Sequence, residues 1–157
     1  MSIERFAYWL DETPVSLTLK ESALMIPLTQ SVHILAVAFV FSGSLLVLLR
    51  TYGLAGTAWP LSDWSNKLSG RLLIALGLLL ATGSLLVIAE PTRELANPVF
   101  QIKLLLILPT VALALWLART QAGQDDRAIS LGAKVVSAII LALWVIIISA
   151  GRWIAYI

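Results

Sequence analysis

Four stretches of the chain carry no charged residue: Ser22–Leu49, Leu72–Ala89, Leu104–Ala118 and Val135–Gly151. An α-helix rises about 1.5 Å per residue, so roughly 20 apolar residues cross the hydrocarbon core of a bilayer. Each stretch, with its ends included, is near or above that length. A soluble bundle would need a polar face on every helix. Only 13% of the residues here are charged, against roughly 25% in ordinary soluble domains. The pattern predicts an all-α integral membrane protein. It is expected to form one domain over residues 1–157, an antiparallel four-helix transmembrane bundle with spans at about 28–49, 70–89, 99–118 and 131–151.

The flanking segments add detail. Ile3, Phe6, Ala7 and Leu10 fall at helical spacing, which predicts a short N-terminal amphipathic interfacial helix at about 3–12, with Tyr8 and Trp9 at headgroup level. Thr13-Pro14 ends it. No basic n-region precedes an apolar core, so no cleavable signal peptide is expected, and the first span serves as its own insertion signal. Pro27 marks the start or a kink of that span. Trp59, Pro60 and Trp64 lie in the first link, where Ser62 or Asp63 is expected to cap the next helix. Gly77, Ala81 and Ser84 share a face of span two, a small-residue pattern that lets another helix approach. Asn97-Pro98 is a cap and first-turn pair for span three, and Pro109 is expected to kink it. Arg152, Trp153 and Tyr156 are expected interface anchors after span four.

The chain contains no cysteine, which excludes disulfides, thiolate metal sites, iron–sulfur clusters and covalent c-type haem. The net charge of +2 is small and spread over the links, so nucleic acid is not an expected partner. An even number of spans puts both termini on one side, with Arg5, Lys20, Arg93 and Arg152. Arg50, Lys67, Arg71, Arg119, Arg127 and Lys134 fall opposite. The richer side is expected to be cytoplasmic.

That topology places His33, the only histidine, in the same leaflet as Glu90 and Lys103. Gln30 lies one turn before His33, and Gln101 is close to Lys103. An ionisable group within a span costs about 2.5–3.5 kcal/mol on insertion scales and marks a candidate functional position. Lys103 either snorkels to the headgroups or faces inward. For His33 the alternatives are a neutral imidazole bonded to a neighbouring helix, by way of Gln30 or Gln101, or an axial ligand to haem iron. Ala36, Val40 and Gly43 follow on its face, and such small residues leave room for a macrocycle or for another helix.

The run Glu21-Ser22, Pro27-Leu28, His33 and Gly43, with Ala96–Leu108 (ANPVFQIKLLLIL), resembles an uncharacterised family of small four-helix bacterial membrane proteins. The resemblance covers nearly the whole chain. More distantly the chain is similar to HemJ-type protoporphyrinogen oxidases and to CopD-like membrane domains. In the HemJ pattern a first-span histidine, then a glycine and an arginine, mark a haem ligand; His33, Gly43 and Arg50 stand there. A lysine opening a later span also matters in that family. Val99-Phe100-Gln101-Ile102-Lys103-Leu104 keeps its lysine and leucine, with Gln101 in place of a basic or imidazole residue. One histidine excludes bis-histidine ligation within a chain. Met25 is the only internal methionine, so soft copper ligands are missing.

Three functions are in view. The first is a haem b-binding protein for electron transfer or porphyrin oxidation. His33 would be its ligand, and Lys103 would pair with a propionate or act as a weak second ligand. Arg93 would meet a propionate at the surface, and Gly43 would clear space. The second is a non-catalytic accessory or assembly subunit, as a homodimer or in a larger membrane complex. The third is a small transporter, for which the broken helices and matched half-repeats are absent. The resemblance implies the bacterial inner membrane, and the charge balance implies periplasmic termini.

Overall fold

The computed structural model describes residues 2–58, 60–122 and 129–153. Trp59, Arg127 and Tyr156 lie outside the described residues, as does the side chain of Trp64. Every regular element among the described residues is α-helical. In chain order these are α1 (Ile3–Asp11), α2 (Pro14–Glu21), α3 (Met25–Thr51), α4 (Leu61–Ala89), α5 (Pro91–Leu95), α6 (Pro98–Ala122) and α7 (Leu131–Trp153). Four of them, α3, α4, α6 and α7, are long and apolar enough to cross a membrane. The chain is a multi-pass, all-α membrane protein.

Local chemistry explains the boundaries. Ser2 caps α1, its hydroxyl accepting from the Arg5 amide at 3.3 Å. Thr13-Pro14 ends α1 and also starts a second helix that periodicity did not predict: Thr13 accepts from the Ser16 amide at 3.4 Å, and Pro14 occupies the first turn. Proline is preorganised there because its missing N–H is one that a helix start leaves unbonded anyway. Pro91 opens the other unforeseen helix, α5, within a link read only as a short turn. Asn97 caps α6 as expected, with Oδ1 accepting from the Val99 amide at 2.9 Å.

Other expectations need correction. The helix of span one begins at Met25, three residues before the expected Leu28, with Pro27 in its first turn as a helix start implies. Neither Ser62 nor Asp63 caps α4, which starts at Leu61 behind Pro60 without a side-chain cap. Asp63 instead sits in the first turn, where a negative charge complements the helix dipole. Helix α6 is continuous through Pro109, the position of the expected kink.

The spans form a closed ring in which α3 lies beside α4 and α7, and α6 also lies beside α4 and α7. On the side where α3 begins, α1 packs on α5, while α2 packs on α4 and α3. This is called the near side below. The apolar core lies towards the middle and far side, where Val40, Ala75, Leu117, Ala133, Ile140, Trp144 and Ile147 are buried together. Gly43 belongs to this packing: a Cβ on it would come within 2.6 Å of Leu72 Cδ2. A buried hydrogen bond from Gln121 Nε2 to Thr51 Oγ1, 2.8 Å, ties α6 to α3 on the far side. Leu35, Ile74, Leu80 and Leu108 point outwards, each about 70% exposed, as lipid-facing residues do. Gly77, Ala81 and Ser84 are exposed too, so that small-residue face is not used within the bundle.

Candidate functional site

Beyond the apolar core, the near half holds a partly open cavity of about 230 Å³. Its polar lining comes from Gln30 and His33 of α3, Glu90 at the end of α4, Arg93 and Glu94 of α5, and Lys103 of α6. Ile26, Leu86, Val87 and Phe100 supply apolar walls. The helical rise puts His33 about 12 Å from the start of α3 and Lys103 about 8 Å from the start of α6. Chain topology therefore brings ionisable groups from two helices, α3 and α6, to similar depth.

His33 is held by α4. Its Nδ1 lies 2.8 Å from Thr82 Oγ1, and its Cε1 would be 3.4 Å from a Cβ on Gly83. Thr82 Oγ1 is also 2.7 Å from the Leu78 carbonyl oxygen one turn back. A hydroxyl has a single hydrogen to give. If it went to Nδ1, two lone-pair oxygens would face each other at hydrogen-bonding distance. The consistent assignment has the hydroxyl donating to the Leu78 carbonyl and Nδ1–H donating to Thr82. The neutral ring then carries a bare lone pair on Nε2. That nitrogen has no hydrogen-bond partner among the described residues, and the ring that carries it lines the cavity.

Lys103 reaches across to α7, where a Cβ on Gly151 would come 3.3 Å from its Nζ. The absence of a side chain at Gly151 makes room for the ammonium. Among the described residues Lys103 forms no ion pair or hydrogen bond with a side chain. At the cavity mouth Arg93 pairs with Glu90, Nη1 to Oε2 at 2.8 Å, and the pair is largely solvated. Glu94 is half-buried and forms no such contact among the described residues. Burial pushes its carboxyl up from the ordinary 4.5; Lys103 and Arg93 pull it back, and Glu90 adds to the push.

Of the residues singled out from sequence, Gln30, His33, Glu90, Arg93 and Lys103 meet in this cavity. Gln101 does not: it is exposed, and its Nε2 donates to the Leu95 carbonyl at 3.0 Å, bracing the α5–α6 turn. Gly43 also lies away from it, in the α3–α4 packing. Arg50 is buried at the far end of α3, about 25 Å along the helix from His33. The His33–Gly43–Arg50 pattern therefore does not form one site. The imidazole bonds to Thr82 rather than through Gln30 or Gln101. Sequence reasoning missed Thr82, Gly83, Glu94 and Gly151. A threonine in an oily span usually bonds its own helix, and so carries no signal until its neighbour is known.

No family model matches the chain, and the comparisons with curated proteins and with solved structures found no match. The reading of the site rests on its geometry.

Proposed function

We propose that the chain is a haem b-binding membrane protein serving electron transfer or porphyrin oxidation, with Nε2 of His33 as an axial ligand. The observation that carries this reading is the contact of His33 Nδ1 with Thr82 Oγ1, itself bonded to the Leu78 carbonyl, which assigns the lone pair to Nε2 of a ring lining the cavity. A neutral imidazole held in this way by its second nitrogen is the usual protein ligand to haem iron. Lys103 and Arg93 are the cations of the cavity lining that would meet propionates, Arg93 by exchanging its Glu90 partner, and Ile26, Leu86 and Phe100 offer apolar contact to a ring edge.

The donor set fits the group. The volume fits part of it, since 230 Å³ lies below the roughly 300–1,000 Å³ of small-molecule sites. A macrocycle would therefore need the near-side ends of the spans to part. Haem would supply one-electron chemistry; His33 would hold the iron, and Lys103 and Arg93 would neutralise the propionates. In the same reading the protein sits in the bacterial inner membrane with periplasmic termini, supported by the excess of Lys and Arg on the far-side links.

Optical spectroscopy tests the proposal. Protein from haem-replete cells is expected to show a Soret band that His33→Ala abolishes or shifts. Lys103→Gln is expected to weaken haem affinity by about tenfold, the order expected for one charge-assisted contact. A colourless preparation that stays colourless on adding haem sinks the reading.

A further inference from the structure

We infer that Thr82 is a positioning residue that selects the tautomer of His33 and so makes Nε2 an electron-pair donor towards the cavity. The use of that nitrogen as an iron ligand rests on the haem reading; the tautomer itself does not. The chain of contacts runs from His33 Nδ1 to Thr82 Oγ1 at 2.8 Å and on to the Leu78 carbonyl at 2.7 Å. Its last acceptor is backbone and cannot give a proton back, so the direction of both hydrogen bonds is set. Thr82 is buried, leaving little room for water to replace its hydroxyl. Gly83, the next residue, leaves space for the ring edge.

The consequence concerns ligand class. In a free histidine side chain the Nε2–H tautomer is the favoured one, and it would turn a donor to the cavity. Bonded to Thr82, the ring instead presents a lone pair, which receives a metal centre or an acidic hydrogen and repels a bare acceptor oxygen. Lys103 Nζ, on the same cavity lining, has donors only. Together they form a two-headed site, for a ligand with an electron-pair-accepting centre and an anionic or acceptor group elsewhere on its frame. An iron porphyrin with its propionates is such a ligand.

The single histidine makes the test unambiguous, because ¹⁵N-histidine labelling gives only two ring-nitrogen signals. In haem-free protein, at a pH where the ring is neutral, Nδ1 is expected to resonate as protonated and Nε2 as bare. Thr82→Val should cut the ratio of Nδ1–H to Nε2–H by about tenfold, the loss of one hydrogen bond. Thr82→Ser, which keeps the hydroxyl, should restore it. A wild-type spectrum dominated by Nε2–H overturns the inference, as does a Thr82→Val spectrum unchanged from wild type. The wild-type measurement decides even if the valine variant fails to fold. If the nitrogens resonate as expected while the protein binds no haem, the haem reading fails and the tautomer assignment stands.

Discussion

A buried side chain in lipid takes its properties from a few neighbours, because no water is present to level the differences. For His33 the neighbour is Thr82; for Lys103 it is the missing side chain of Gly151. Glu94 shows the same rule at the membrane edge. A carboxyl whose folded pKa lies above its unfolded value adds stability below the unfolded value, and that stability is lost as the pH rises through the folded pKa. Burial raises Glu94 from 4.5, so its contribution should be lost from about that pH upwards. Thermal unfolding in detergent is therefore expected to show wild type losing stability over this range. Glu94→Gln should flatten that slope and be at least as stable as wild type at neutral pH. A steeper slope in the variant would contradict the assignment.

At the scale of elements, the helix ends are set by short-range chemistry that is readable in order along the chain. Asn97-Pro98 was legible because an amide side chain before proline satisfies an orphan N–H wherever it occurs. The end of α3 follows the same logic at the other terminus. Gly53 adopts φ of 74°; its amide donates to the Arg50 carbonyl at 3.0 Å, and the Leu54 amide donates to that of Leu49 at 2.8 Å. This is the double bond pattern that closes a helix through a left-handed residue. A Cβ at Gly53 would touch nothing within 4 Å, so Gly53→Ala isolates the backbone term. It should destabilise the protein by about 1 kcal/mol, read as a lowered unfolding midpoint in detergent. The helices α2 and α5 were less legible, being too short to show a period, although Pro14 and Pro91 stand at their starts.

At the scale of the whole molecule, the four spans divide the bundle into a packed apolar core and a polar near-side cavity bordered by α5. Topology makes this division testable in a chain without cysteine. A cysteine placed at Lys20, on the near side, should react with a membrane-impermeant maleimide in intact cells. One at Thr57, in the far-side link, should react only after lysis. The reverse pattern would invert the orientation, and labelling of both in intact cells would contradict the membrane topology.

The number of spans, their antiparallel order and the placing of His33, Glu90 and Lys103 in one leaflet follow from the sequence alone. They depend on lengths: 1.5 Å of rise per residue against a hydrocarbon layer of about 30 Å. The rotation of each span about its axis is another matter. Spans that are apolar all round give little sign of which face turns inward. That Gly43 packs on Leu72 instead of clearing space for a cofactor, and that Thr82 meets the imidazole, was decided by contacts between residues far apart in the chain. Within lipid, the fit of side chains between helices chooses among faces that are equally oily.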